Sequence, residues 1–111
     1  MITRYALFEG TVAPGQTPAF RAAVLAEILP VWRSFPGAIA IHVTFADDRD
    51  AGAPEFPLIL AIDWPDRASV DAFLDHPVRK EGRAATESVL QRFFTGRIHH
   101  HVATALSFDP A

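Results

Sequence analysis

The sequence contains no cysteine, which excludes disulfide bonds, thiolate metal sites and cysteine nucleophiles. No apolar run approaches the roughly 18 residues of a membrane-spanning helix, so we expect no membrane partner. Lys and Arg number 10 against 13 Asp and Glu, and the net charge is -3. There is no basic stripe to neutralise a row of phosphates, and we therefore expect no nucleic-acid partner.

Glycine is also scarce, and the six residues form no Gly-rich loop of the kind that holds phosphates. We therefore expect no nucleotide cofactor, and no other cofactor is indicated. The N-terminal MITRYALFEG lacks the charged start and apolar block of a signal peptide, which favours a cytoplasmic protein. What the chain does have is 50% hydrophobic residues in 111, and this predicts one globular domain over residues 1–111.

Patterns typical of strands and helices alternate along the first half of the chain. Met1 to Val12 predicts a strand, and apolar residues at steps of three and four then predict a helix from Thr17 to Phe35. Pro30 should bend or break that helix, because it removes a hydrogen bond and crowds the carbonyl of Ala26. Period-two alternation predicts two further strands, joined as a hairpin by a long polar loop, at 39–45 and 58–64.

The second half of the chain is predicted to hold two helical segments and a last strand. One helix should begin at Pro65-Asp66 and stop where Pro77 restricts His76. The next should run from about Arg79 to Phe94, with Gly96 ending it in a left-handed conformation. Ile98 to Phe108 is predicted to be the fourth strand, with Ile98, Val102, Leu106 and Phe108 packed under the helices.

The order β-α-β-β-α-β predicts an α+β, ferredoxin-like fold, in which both helices cover one face of a four-stranded antiparallel sheet. The uncovered face would carry small and apolar residues such as Ala40, Ile59 and Ala61. A single copy would leave this face in water, whereas two copies that oppose their sheets would close a barrel. We therefore expect a homodimer.

Four polar side chains are predicted on the same open sheet face: His42, Asp63, His99 and His101. The run IHHHVATAL is internal, so it reads as the start of a strand and not as a purification tag. His99 and His101, with Cα atoms about 6.5 to 7 Å apart, would need a third ligand such as His42 or Asp63 to hold a metal. The alternative is that backbone and water satisfy them at a sheet edge or dimer seam. Because no metal spacing is complete, we predict no tightly bound metal.

The stretch AIDWPDRASVDAFLDHP resembles the dimeric α/β-barrel proteins, especially the stress-responsive Dabb group. Asp63-Trp64 and the run from Phe73 to His76-Pro77 carry this resemblance. It implies the fold predicted above and a place beside cofactor-independent antibiotic-biosynthesis monooxygenases, ether-degradation accessory proteins, haem-degrading enzymes and polyketide cyclases. The fold alone selects none of these activities.

One departure from the resemblance concerns catalysis. The positions that match the catalytic tyrosine and histidine of a Dabb polyketide cyclase hold Phe73 and Arg79 here. Phe73 has no hydroxyl and Arg79 is not a neutral base near pH 7, so that acid/base pair is absent. His76 remains as a catalytic candidate, with a structural role as the alternative, in which it breaks the helix and caps the next segment.

Two functions are consistent with the sequence. The first is a protein that binds a hydrophobic, aromatic or polyketide-like molecule without a catalytic pair, and the second is a cofactor-independent monooxygenase or related small enzyme acting on such a molecule. Either would use a pocket between sheet and helices lined by Phe20, Leu60, Ile62, Trp64 and Phe73. His76 and Arg79 are the candidate catalytic residues and the polar groups of this pocket, and Arg79 would favour an anionic or carbonyl-bearing ligand.

Overall fold

The computed structural model describes residues 1–111 as one antiparallel sheet with helices packed on one face. The strands are β1 (Ile2–Val12), β2 (Ala40–Phe45), β3 (Leu58–Trp64) and β4 (Phe94–Thr104), in the spatial order β2-β3-β1-β4. The helices are α1 (Thr17–Ala23), α2 (Leu29–Trp32), α3 (Arg67–Leu74) and α4 (Val78–Phe93), and a π-helical segment (Val24–Ile28) joins the first two. The predicted α+β fold and its order of elements are confirmed.

The core lies between the helices and one face of the sheet. Along β3 every second residue is buried, from Leu58 to Trp64, and the residues between them face the other way. This alternation is the period of two that a strand imposes on its side chains. The helices bury their apolar stripes against this face, chiefly through Phe20, Val24, Ile28, Val70, Phe73 and Val89. The opposite sheet face has no helix over it.

The first helix is interrupted close to the predicted position. Pro30 has no N–H to donate to the carbonyl of Ala26, so a regular α-helix cannot continue through this turn. The helix instead forms a π turn here, in which the Leu29 N–H donates to the Val24 carbonyl five residues earlier. Ile28 and Trp32, on either side of Pro30, both remain buried.

Gly96 does not end helix α4, and this prediction was wrong. The helix stops at Phe93, and Phe94 is already extended with φ -132° and ψ 139°. Gly96 instead pairs with Gly10 across β1 and β4. A Cβ on Gly10 would lie 2.2 Å from the Thr95 carbonyl oxygen, and one on Gly96 would lie 2.1 Å from the Glu9 carbonyl oxygen. The two glycines allow a close backbone approach within the sheet.

The fourth strand ends earlier than its alternating pattern predicts. It stops at Thr104, and the last backbone bond to the first strand runs from the Ala105 N–H to the Met1 carbonyl. Leu106 and Phe108, which follow the strand, are 74% and 84% exposed, and Val102 within it is 36% exposed. The prediction that these three residues pack under the helices was wrong.

The longest helix, α4, is amphipathic, and none of the helices is long and apolar enough to cross a membrane.

Candidate functional site

A cleft of about 280 Å³ lies between helix α4 and the helix-facing side of strands β1 and β4. Its apolar lining comes mainly from the sheet and the ends of α2 and α3, and its charged lining comes from β1, β4 and α4. The lining residues are Arg4, Ala6, Phe8, Trp32, Phe35, Leu60, Phe73, Arg79, Gly82, Arg83, Thr86, Glu87, Ile98 and His100.

Aromatic rings in contact support one wall of the cleft. The ring of Phe73 lies 4.4 Å from that of Phe35 and 4.9 Å from that of Trp64, measured between centroids. Trp64 does not line the cleft and packs against the Phe73 ring from the core side. Its indole N–H donates to the Pro36 carbonyl at 3.1 Å. Aromatic contacts of this kind fix ring orientation, so the cleft has a firm, flat apolar side.

Gly82 makes room for the Phe35 ring. A Cβ at Gly82 would lie 2.9 Å from Cζ of Phe35, closer than van der Waals contact allows. We predict that Gly82→Ala lowers the free energy of unfolding by up to about 2 kcal/mol, because an overpacking cost of about 1–3 kcal/mol outweighs the better helix propensity of alanine, worth about 1 kcal/mol. Urea unfolding measures this. In a Phe35→Leu background the same change should be neutral or stabilising, and a stabilised Gly82→Ala single variant would contradict the packing argument.

Arg4 projects into the cleft from β1. Its guanidinium lies 5.8 Å from the centre of the Phe73 ring, a distance suited to a cation–π interaction. Burial, together with the positive charges of Arg79 and Arg83, lowers the pKa of Arg4 to about 10. Arg4 therefore stays charged at neutral pH, and its charge lacks full hydration.

His100 projects into the cleft from β4, beside Arg4. His100 as a residue is exposed, with one side of its imidazole covered in the cleft. This partial burial, followed by the charges of Arg4, Arg79 and Arg83 and of neighbouring His99, lowers the pKa of His100 to about 4. The imidazole is therefore neutral at pH 7, with one ring nitrogen able to accept a hydrogen bond or a proton.

The lowered pKa of His100 predicts a loss of stability in acid. Below about pH 6.5 the unfolded chain binds a proton at this residue that the folded protein does not take up until about pH 4. Stability should therefore fall as the pH drops through this window. We expect the urea midpoint of His100→Gln to decrease less than that of the wild type as the pH falls. His101→Gln, on the other sheet face, should show the same decrease as the wild type. Equal pH dependence in wild type and His100→Gln would contradict the assignment.

The structure separates the residues predicted to line one pocket. Leu60, Phe73 and Arg79 lie together in the cleft, whereas Phe20 lines a second depression beside the loop between β2 and β3. Ile62 and Trp64 are 2% and 0% exposed and pack in the core.

His76 lies outside the cleft, in a shallow depression at the junction of α3 and α4 that Arg79 and Arg83 also border. Its Nδ1 accepts a hydrogen bond from the Val78 N–H at 3.0 Å and so satisfies one of the N–H groups that have no partner within α4 at its start. This geometry fits the structural role weighed for His76.

Arg4, Arg83 and His100 were missed as site residues. A signal for two of them was present in the strand alternation, since Arg4 shares its face with Ala6 and Phe8, and His100 shares its face with Ile98. Arg83 lies four residues after Arg79 and thus on the same side of α4.

The four polar residues predicted on the open sheet face do not form one cluster: two of them pair with each other, a third pairs with Glu9, and the fourth is isolated. His42 lies 3.2 Å from Asp63, which also accepts a hydrogen bond from the Thr3 hydroxyl at 2.6 Å. His99 lies 2.7 Å from Glu9, and this hydrogen bond lowers the pKa of the Glu9 carboxyl. His101 is exposed. No three His, Cys, Asp or Glu side chains come together as a metal site would require.

The absence of a tightly bound metal remains a prediction. Elemental analysis of protein purified without added metal should find no stoichiometric zinc, iron or copper. A stoichiometric metal that is lost in His101→Ala would contradict it.

Comparison with known proteins gives results for the fold alone. No family's sequence model matches the chain, and no curated protein sequence matches it. Solved structures do match over nearly the whole length. An ethyl tert-butyl ether degradation (EthD) family protein from Bacillus halodurans superposes with a TM-score of 0.69 at 18% identity, covering 96% of this chain and 99% of that one. This chain has the same ferredoxin-like fold as these solved structures.

Two further structures extend the comparison. SnoaB, a cofactor-independent oxygenase from Streptomyces nogalater, gives a TM-score of 0.62 at 19% identity over 99% of this chain and 97% of that one. A putative antibiotic biosynthesis monooxygenase from Nitrosomonas europaea gives 0.60 at 14% identity over 96% of this chain and all 100% of that one. The resemblance predicted from the sequence is confirmed at the level of fold.

Proposed function

We propose that the chain binds a small, flat, apolar molecule that carries a polar oxygen group, and that the cleft beside α4 is the binding site. The observation that carries this proposal is the aromatic wall of the cleft with Arg4, Arg79 and His100 beside it. Small-molecule sites are mostly apolar, with a few polar groups that fix orientation. At about 280 Å³ the cleft is at the small end of the roughly 300–1,000 Å³ typical of such sites, which favours a ligand of one or two rings.

A thermal-shift screen of one- and two-ring aromatic acids, phenols and ketones tests the proposal. We expect hits with the wild type and none with Ile98→Trp, because Ile98 lines the cleft and a larger side chain would fill it. Val102→Trp is the matched control, since Val102 has the same strand parity but does not line the cleft. Hits that survive in Ile98→Trp, or an absence of hits in the wild type, would contradict the proposal.

Arg79→Ala tests the polar anchor within the same screen. If Arg79 binds the polar group, the stabilisation by each hit should shrink in this variant. If each hit stabilises Arg79→Ala as much as the wild type, the cleft remains the binding site and another residue binds the polar group.

A second candidate function is cofactor-independent oxygenation of such a molecule. One observation favours it: His100 is neutral beside three arginines, so it could take a proton from the ligand while the arginines stabilise the anion that forms. The similarity in fold to SnoaB is consistent with this. With O₂ as the oxidant the reaction balances, since a CH₂ group and O₂ give a C=O group and water.

An oxygen electrode tests this second function with 2-tetralone, a two-ring ketone with an activated CH₂ group, in the presence of a metal chelator. If His100 is the base, His100→Gln should lower kcat about 10²–10⁴-fold, and His101→Gln should leave it unchanged. O₂ uptake no faster than in buffer would leave binding as the function.

We infer that two copies of the chain pair through their open sheet faces. This face presents Ile59, Ala61, Tyr5 and Leu7 side by side on neighbouring strands, and no helix covers it. Apolar residues on an uncovered sheet face are stabilised when a second copy removes them from water.

A further inference from the structure

Three of the nine arginines in the chain lie in the cleft, and none of the three has a carboxylate partner. Five others form salt bridges, as Arg21 does with Asp47 and Arg67 with Asp71. Arg4 and Arg83 make no side-chain hydrogen bond, and Arg79 donates only to the Leu74 carbonyl, at the long distance of 3.5 Å. In a chain of net charge -3, unpaired cations concentrated in one cleft are an unusual arrangement.

Only one acidic side chain lines the same cleft. This is Glu87 on α4, which is exposed and makes no salt bridge with Arg83 four residues earlier. The groups facing His100 are therefore Arg4 from β1, Arg79, Arg83 and Glu87 from α4, and His99 from its own strand. The positive charges outnumber the negative charge by three to one before any ligand binds.

We propose that the ligand of the cleft is an aromatic anion whose charged oxygens lie among Arg4, Arg79 and Arg83, and that its binding draws one proton onto His100. This inference rests on the proposed function, because it specifies the ligand of that same cleft. Arginine suits the role, since its planar donors match the oxygens of a carboxylate, sulfonate or enolate. The aromatic part would lie against the wall built on Phe73.

The coupling to a proton follows from the charges. In the free protein, burial and then the charges of the three arginines lower the pKa of His100 to about 4, so the imidazole is neutral at pH 7. A bound anion offsets the arginine charges and offers an acceptor for an imidazolium N–H, so it raises the pKa of His100. The complex then holds more protons than the free protein between the two pKa values, and binding strengthens as the pH falls through that interval.

Isothermal titration calorimetry with naphthalene-2-sulfonate tests both parts, because this anion stays ionised throughout the range. Naphthalene-2-sulfonamide is the neutral probe of the same shape. At pH 7 we expect the sulfonate to bind about tenfold to hundredfold more tightly, the usual effect of a charge-assisted hydrogen bond. Arg83→Gln and Arg79→Gln should each remove most of this preference. Arg33→Gln, which removes an equally unpaired charge that borders a different depression, should keep it.

Proton uptake is measured by repeating the sulfonate titration at pH 5 in two buffers of different ionisation enthalpy. We expect uptake of up to one proton in the wild type, none in His100→Gln, and wild-type uptake in His101→Gln. Thermal unfolding of each variant shows that it is folded before binding is compared.

The outcomes separate this inference from the proposed function. If both probes bind equally, or if Arg33→Gln reduces the preference as much as Arg83→Gln, the anion site is wrong and the cleft remains a binding site. If the sulfonate is preferred without proton uptake, the coupling to His100 is wrong. If neither these probes nor any compound of the thermal-shift screen binds, the proposed function itself fails.

Discussion

Light scattering of the purified protein should give twice 12.2 kDa, and Ala61→Arg should return the mass to 12.2 kDa. Ala61 lies between Tyr5 of β1 and His42 of β2 in the register of the open face. If two copies oppose these faces, an arginine at this position would be buried there without a partner. An unpaired buried charge costs about 3–5 kcal/mol, which corresponds to more than a hundredfold weaker association.

Ala72→Arg is the matched control, because Ala72 is exposed on α3 and away from the open face. It adds the same side chain and should leave the dimer intact. A wild-type protein that stays at the monomer mass as its concentration rises would contradict the pairing of open faces. A dimer that survives Ala61→Arg would mean that the copies associate through another surface.

Trp64→Ala should lower the free energy of unfolding by about 3–5 kcal/mol, a large part of the roughly 5–15 kcal/mol that stabilises a typical domain. Trp64 is 0% exposed, its N–H is hydrogen bonded to Pro36, and its ring supports Phe73 behind the cleft. Its removal leaves a cavity and an unpaired carbonyl.

Urea unfolding measures the effect of Trp64→Ala, and Phe108→Ala serves as the control. That residue is a large aromatic too, but at 84% exposure its loss should change stability by less than about 0.5 kcal/mol. A cost for Trp64→Ala near that of Phe108→Ala would contradict the central place of Trp64 in the core.

The fold was predictable from the sequence wherever local periodicity and tertiary burial agree. Every second residue from Leu58 to Trp64 is large and apolar, and the structure buries this set as predicted. The end of β4 was not predictable from the local pattern, because alternation continues through Phe108 while pairing with β1 ends at Thr104. The role of Gly96 was predicted wrongly for a related reason. Position 96 requires a glycine because it lies against the backbone at Gly10, which is 86 residues earlier in the chain.

The site was predictable only in part. Arg79 and Phe73 were found because a resemblance directed attention to the segment that holds them. Arg4 and His100 lie on separate strands 96 residues apart, and neither has a motif around it. The lowered pKa of His100 depends first on burial and then on three arginines that folding brings to it, and no local pattern of residues encodes that environment.

Amide NMR of the ¹⁵N-labelled protein during a titration with naphthalene-2-sulfonate tests most directly whether the cleft beside α4 is the ligand site. The account predicts saturable shift changes concentrated at Arg4, Gly82, Ile98 and His100, with little change around Arg21 in the second depression or Ala61 on the open face. Changes centred on Arg21 or Ala61, or no saturable change at any residue, would contradict it.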